Sequence, residues 1–143
     1  FGDVLTPRSF DELWLKEGMA RYLEYETVFS LEGSTFGVWE NFISEVWFQS
    51  MIADAQPNSH PLVQAHMGNP HSITSSFDTI TYGKGACLFR MLALFLGKID
   101  FIRALQVYIE KYQFQTADDD DFWNIIQQVC QPNFQIHSVM HQW

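Results

Sequence analysis

Two side chains in this sequence have the chemistry of a hydrolytic site. Glu17 is a single carboxylate within the otherwise apolar and aromatic start of a helix, and Tyr82 stands beside two glycines at the head of another helix. A buried Glu can hold zinc, and a positioned tyrosine hydroxyl can stabilise an oxyanion. The pair therefore suits metal-assisted hydrolysis. The pattern is incomplete, because the histidines that such a site needs do not lie where we would expect them.

The composition indicates one globular domain. The chain has 143 residues, of which 47% are hydrophobic and 16% aromatic, which is well above the composition of disordered segments. Its formal net charge of −9 would repel a phosphate backbone, so we expect no nucleic-acid partner. No run of about 18 apolar residues occurs, so we expect no membrane-spanning segment within this sequence.

The two cysteines, Cys87 and Cys130, permit at most one disulfide. They lack the Cys-x-x-Cys spacing of a metal or redox motif, and we expect two buried thiols. The redox compartment stays open.

Helical periodicity dominates and predicts an all-α fold without a convincing hairpin. The predicted helices cover residues 11–29, 38–55, 71–79 and 82–96, then one capped by Asp100, one that begins at the acidic run 118–121, and a short one at 136–141. Residues 56–70 form a predicted loop with three prolines, and Gly97 is the predicted C-cap of the helix that contains Tyr82.

The acidic run 118–121 is interpreted as a helix start. Thr116, with Asp119 three residues later, resembles a capping box, and acidic residues in a first turn complement the helix dipole. A calcium loop would need spaced ligands and a glycine bend, which the run lacks.

Several motifs follow one another in an order that is familiar from one enzyme family. WLKEGMARYLEY at 14–25 is followed by SHP at 59–61, by FDTITYGKGA at 77–86 and by RML at 90–92, and the chain ends with VMHQW at 139–143. These motifs resemble those of the zinc aminopeptidases related to membrane alanyl aminopeptidase, within the gluzincin metallopeptidases. The resemblance covers essentially the whole chain, with Lys16 and Met19 where Asn and Phe are common.

This resemblance implies a role for each of the two candidate residues. Glu17 aligns with the third zinc ligand, and Tyr82 aligns with the tyrosine that donates to the oxyanion of the tetrahedral intermediate. The family's zinc is held by two His and one Glu and activates water, with the Glu of HExxH as the base. The implied substrates are peptides with a free amino terminus, from which one residue at a time is removed.

The spacing around Glu17 implies a partial domain. In the family pattern eighteen residues separate the second His of HExxH from the Glu ligand, and sixteen residues precede Glu17 here. We therefore expect HExxH-Gln-Trp and the Gly-x-Met-Glu-Asn segment to be missing. The expected fold of residues 1–143 is the C-terminal helical lobe of a thermolysin-like catalytic domain, with 131–143 as a tail toward the next domain. We expect the chain alone to be inactive and to bind zinc weakly or not at all.

Two alternative functions stay open. The chain could be a non-catalytic truncated isoform or pseudoenzyme that binds peptides or a full-length relative. His137 and His141 also resemble HExxH, as in a circular permutant, but Ser138 replaces the Glu and could not act as the general base. The family includes membrane-anchored extracellular, lumenal and cytosolic enzymes, so the resemblance implies no single compartment, and the oligomeric state stays open.

The remaining polar residues receive less specific interpretations. Glu24 could orient a zinc-binding His, pair with Arg21 or simply be solvated. Lys84 is expected to support its turn rather than touch substrate. The remaining histidines, which lack ligand spacing, are expected to be loop residues: His60, His66 and His71.

Overall fold

The structure is a computed structural model that describes residues 4–65, 68–131, 133 and 135–140. Helices dominate it, which confirms the predicted all-α class. The α-helices are α1 (Leu13–Glu32), α2 (Val38–Asn41), α3 (Phe48–Asp54), α4 (Pro70–Ser75), α5 (Gly85–Leu96), α6 (Lys98–Tyr112), α7 (Asp119–Cys130) and α8 (Ile136–Met140). A first π-helical segment, Phe42–Trp47, joins α2 to α3, and a second, Ile80–Lys84, leads into α5. Short 3-10 turns occupy Phe10–Glu12 and Gly33–Phe36.

Two short strands form a parallel pair that the sequence did not predict. They are β1 (Leu5–Pro7) and β2 (Gln115–Ala117). Three-residue strands are too short to show the alternation by which a strand is recognised in sequence. The pairing brings Arg8, just after β1, to the start of α7, where its guanidinium lies 3.0 Å from the Asp121 carboxylate.

Aromatic side chains fix α1 among the later helices. Trp14 of α1 stacks on Phe89 of α5 with ring centroids 5.4 Å apart, and Tyr22 meets Phe101 of α6 edge-on at 5.9 Å. Phe122 of α7 contacts Phe89 at 5.8 Å. Such pairs add to the free energy gained by burying these large rings. The core therefore holds the first half of α1 in a defined position against α5.

Two helix starts differ from their predicted positions. Gly97 ends α5 with a φ of +90° and directly precedes α6, so Asp100 lies inside the first turn and does not cap it. Asp118, not Thr116, caps α7. Its Oδ1 accepts from the Asp121 N–H at 2.9 Å, and the Asp121 carboxylate accepts from the Asp118 N–H at 3.3 Å. This reciprocal pair is a capping box, and it confirms that the acidic run starts a helix.

The helix predicted at 38–55 is present but contains the first π-helical segment. Similarly, the helical run that contains Tyr82 begins at Ile80, two residues earlier than predicted. The predicted helix end at His141 lies outside the described residues, as does His66. Among the residues that the structure describes, no helix is both long and apolar enough to cross a membrane.

Candidate active site

Glu17 is a buried carboxylate on α1. Only 8% of the residue is exposed, and its neighbours along the helix are largely apolar. A carboxylate in such surroundings needs compensating partners. One is present: the Lys16 ammonium lies 3.2 Å from Glu17 Oε1. The Tyr82 hydroxyl also lies near this carboxylate, which raises the pKa of Tyr82.

Tyr82 lies in the second π-helical segment, and its side chain reaches α1. Burial, and then the neighbouring Glu17 carboxylate, raise the pKa of Tyr82 to about 12. The hydroxyl therefore keeps its proton at neutral pH and remains a hydrogen-bond donor. The structure thus brings together the two candidate residues, which are far apart in the sequence.

A close backbone contact makes this meeting possible. A Cβ atom placed on Gly18 would lie 2.7 Å from both the Cα and the carbonyl carbon of Gly85. Side chains at these two positions would force α1 away from the start of α5. Because Gly18 follows Glu17 and Gly85 lies three residues after Tyr82, the same contact sets the separation of the two candidate side chains. Insertions of π-helix, such as the one that carries Tyr82, are frequent at functional sites.

The turn before Tyr82 is fixed by the Asp78 carboxylate. Its Oδ1 accepts from the backbone N–H groups of Ile80 at 3.0 Å and Thr81 at 2.9 Å. The backbone N–H of Tyr82 donates to the Asp78 carbonyl, also at 3.0 Å. The other carboxylate oxygen, Oδ2, lies 2.7 Å from Nε2 of His60. His60 was predicted to be a loop residue only, and no spacing in the sequence signalled its contact with Asp78.

Lys84, at the end of the same segment, is held from α3. Its ammonium lies 2.9 Å from the Asp54 carboxylate, which also accepts from the Ser59 hydroxyl at 2.7 Å. The hydrogen bonds from Lys84 and Ser59 lower the pKa of Asp54. These contacts agree with the predicted role of Lys84 in supporting its turn.

A polar groove of about 550 Å³ opens beside Tyr82. It is lined by residues of α1 and of the segment before α5: Ala20, Arg21, Glu24, Phe77, Asp78, Thr79 and Tyr82. Glu24 pairs with the Arg21 guanidinium at 2.6 Å, which is one of the three roles predicted for it. A larger apolar groove of about 640 Å³ lies between α5 and α8 and contains neither Glu17 nor Tyr82. The polar groove is therefore the one that belongs to the candidate site.

The described part of the chain does not complete a metal centre. No group of three His, Cys, Asp or Glu side chains among these residues could hold a metal ion, whereas a catalytic zinc takes three protein ligands. Glu17, buried and beside a hydroxyl donor, fits one ligand position only. In the alternative site, the His137 ring contacts Asp120, and His141 lies outside the described residues.

The two cysteines lie outside the site. Cys87 and Cys130 carry free, half-buried thiols. Burial raises the pKa of Cys87 to about 11, so its thiol is protonated at neutral pH. The two thiols were predicted to be buried, and the structure shows them only half-buried.

The chain is similar to several peptidases. The chain is 34% identical over 127 residues to Probable aminopeptidase 2 of Sulfurisphaera tokodaii, covering 89% of this chain and 16% of that protein. It is 30% identical over 143 residues to the leucyl aminopeptidase of Saccharolobus solfataricus, covering 100% of this chain and 18% of the relative. It is 36% identical over 146 residues to the thyrotropin-releasing hormone-degrading ectoenzyme of Rattus norvegicus, covering 100% and 14%.

The chain thus spans less than one fifth of the length of these curated relatives. The family model described as the peptidase family M1 domain matches residues 1–143. With the whole chain matched and the two candidate residues in contact in the structure, the chain belongs to peptidase family M1.

Proposed function

We propose that this chain is the part of a zinc aminopeptidase that contributes one metal ligand, Glu17, and the oxyanion donor, Tyr82. The observation that carries the proposal is the nearness of the two side chains in a family M1 chain, where the Glu17 carboxylate raises the pKa of Tyr82. A buried carboxylate and a protonated tyrosine hydroxyl at the same point supply the two kinds of group that metal-assisted acyl transfer needs.

Each residue has a definable task in this scheme. Zinc, held by Glu17 and two ligands from outside the described residues, would polarise the peptide carbonyl and acidify a water molecule. Tyr82 keeps its proton well above neutral pH and can donate to the negative charge that develops on the carbonyl oxygen. Lys16 offsets the charge of the Glu17 carboxylate when no metal does so.

The proposed substrates are peptides with a free amino terminus. Two of the relatives named above are aminopeptidases by name, and the polar groove beside Tyr82 has room for a peptide segment. The 143 residues contain no HExxH, and Glu17 alone cannot hold zinc against water. We therefore expect no turnover of an aminoacyl anilide by the chain alone, even with added zinc. Turnover would show that this chain supplies the missing groups itself.

A segment exchange tests the proposal. The leucyl aminopeptidase of Saccharolobus solfataricus aligns with this whole chain over 143 residues, so its matching segment can be replaced by residues 1–143. We expect the chimera to bind zinc and to hydrolyse a leucyl anilide. Glu17→Gln should weaken zinc binding by at least about 100-fold, since even an outer partner of a metal ligand costs 10- to 100-fold. Turnover should fall with it.

The matched control is Glu26→Gln, which removes another buried α1 carboxylate that is also paired with a lysine, Lys98. It should leave the zinc content of the folded chimera unchanged. A Glu17→Gln chimera with normal zinc content and turnover would refute the proposal. A folded chimera that binds peptide but no zinc would favour the non-catalytic alternative.

A further inference from the structure

The His60 ring is fixed at both of its nitrogens. Nδ1 lies 2.8 Å from the Pro61 carbonyl oxygen, and Nε2 lies 2.7 Å from Asp78 Oδ2. The Gln64 side-chain nitrogen also lies 3.4 Å from Nε2. A hydrogen bond from the ring to the Asp78 carboxylate is charge-assisted, which makes it stronger than a bond between neutral groups.

The loop that carries His60 is anchored to the rest of the fold. Leu62, two residues later, is 3% exposed and belongs to the core. The backbone N–H of Gln64 donates to the Asp11 carbonyl at 3.0 Å, and its side-chain oxygen accepts from the Ser76 hydroxyl at 3.2 Å. His60 therefore extends from a fixed support, and its bond can restrain Asp78.

Asp78 passes this restraint to the segment that contains Tyr82. One carboxylate oxygen holds the N–H groups of Ile80 and Thr81, and the other is held by His60. A carboxylate fixed at both oxygens cannot rotate, so the first turn of the segment keeps one orientation. Tyr82 is the next residue, and its own N–H donates to the Asp78 carbonyl.

We infer that His60 is a positioning residue, which acts through Asp78 to aim the Tyr82 hydroxyl at the Glu17 carboxylate. This inference rests on the function proposed above for Tyr82. It assigns to the loop before α4 a role in the site, where His60 meets the groove lining through its contact with Asp78.

The direct test is NMR on the 143-residue chain with three variants. His60→Ala removes both ring contacts, and His60→Gln keeps one N–H donor near the position of Nε2. His137→Ala is the matched control, because it removes the other His–Asp pair that the described residues contain, with Asp120. The readouts are amide hydrogen exchange at Ile80 and Thr81, and the NOEs between the rings of Phe77 and Tyr82, whose centroids are 6.4 Å apart.

We expect His60→Ala to accelerate exchange at the two amides about tenfold, as for the loss of one charge-assisted hydrogen bond, and to weaken the ring NOEs. In His60→Gln the exchange rates and the ring NOEs should return to their wild-type values, and in His137→Ala they should not change. If His60→Ala does not fold, the inference requires His60→Gln to keep the wild-type exchange rates and NOEs. Unchanged readouts in His60→Ala would overturn the inference, as would exchange that rises equally along the whole chain.

Activity separates this inference from the proposed function. In the chimera, we expect His60→Ala to lower kcat about tenfold with little change in KM, because the residue orients a donor and does not bind substrate. A chimera that turns over with unchanged kcat in His60→Ala would refute the positioning role and keep the proposed function. If the chimera is inactive but the NMR changes occur, the proposed function fails and the restraint on Tyr82 stands.

Discussion

The Ser50 hydroxyl occupies the space that a side chain at position 83 would need. A Cβ atom on Gly83 would lie 2.2 Å from Ser50 Oγ, and that hydroxyl is itself fixed by donating to the Val46 carbonyl at 2.6 Å. Ser50 belongs to α3, and Val46 to the first π-helical segment. Because Gly83 follows Tyr82 directly, the contact helps to set where α3 and the segment with Tyr82 meet.

Gly83→Ala should therefore destabilise the chain, and Ser50→Ala should relieve the effect. Overpacking of this kind typically costs about 1–3 kcal/mol. When Ser50 Oγ is removed, the nearest atoms are Ser50 Cβ at 3.5 Å and the Val46 oxygen at 3.6 Å, which are ordinary contacts. Unfolding of the two single variants and the double variant in urea measures their free energies of unfolding. A Gly83→Ala chain as stable as wild type, or a double variant no better than Gly83→Ala, would contradict the contact.

Gly18→Ala should be more damaging than Gly83→Ala. Its Cβ would meet backbone atoms of Gly85 at 2.7 Å, and these cannot move as a side chain can. We expect a loss of about 3 kcal/mol or more, at the upper end of overpacking costs. Ser50→Ala should give no relief in this background, which distinguishes the two contacts. The measurement is again the free energy of unfolding in urea, and a loss below that of Gly83→Ala would contradict the backbone contact.

The pKa of Tyr82 reports on its contact with Glu17. Burial is the largest cause of its rise to about 12, and the nearby Glu17 carboxylate adds to it. Glu17→Gln should therefore lower this pKa toward 10 without removing the effect of burial. The ¹³Cζ shift of Tyr82, followed against pH by NMR, measures it. A pKa that stays at about 12 in Glu17→Gln would show that the two side chains do not interact.

The same shift gives a stability prediction at high pH. The pKa of Tyr82 is higher in the folded chain than in the unfolded chain, where it is near 10. The stabilisation that follows from this difference is complete below pH 10 and is lost as pH rises through about 12. Tyr82→Phe should therefore show a smaller fall in the free energy of unfolding between pH 10 and 12 than wild type. Equal slopes for the two proteins would contradict the assignment.

Glu12 should make stability depend on pH near neutrality. Burial, and then the charges of Asp119 and Asp118, raise its pKa to about 7, and its Oε2 is buried without a hydrogen-bond partner among the described residues. The raised pKa of Glu12 adds to the free energy of unfolding. This stabilisation is complete below the ordinary Glu pKa, near 4.5, and is lost as pH rises through 7. Glu12→Gln should flatten the pH dependence of unfolding between 4.5 and 8. The exposed control Glu32→Gln removes the same formal charge and should keep the wild-type slope.

The sequence predicted the helices well because amphipathic spacing and glycine are local signals. Gly97, for example, marks the end of α5 in both sequence and structure. The cap of α7 was misplaced by two residues because Thr116 and Asp118 both offer suitable side chains. Only the structure shows that Thr116 lies in β2.

The candidate site was predictable only in part. The motifs around Glu17 and Tyr82 made both residues candidates, but the nearness of their side chains depends on the approach of Gly18 to Gly85. The link from His60 to Asp78 joins a loop to a turn without any periodic pattern between them. Such contacts follow from tertiary packing, which a single sequence does not reveal.

From its place beside Glu17, Tyr82 is proposed to donate to the reacting carbonyl oxygen. Tyr82→Phe in the chimera tests this most directly, with Tyr112→Phe as the control, because the Tyr112 hydroxyl donates to a carboxylate, that of Asp121, at 2.8 Å. We expect Tyr82→Phe to lower kcat by about 100- to 1000-fold with KM little changed, as for the loss of an oxyanion donor, and Tyr112→Phe to keep the parent kcat. A Tyr82→Phe chimera that turns over at the parent rate would contradict the account.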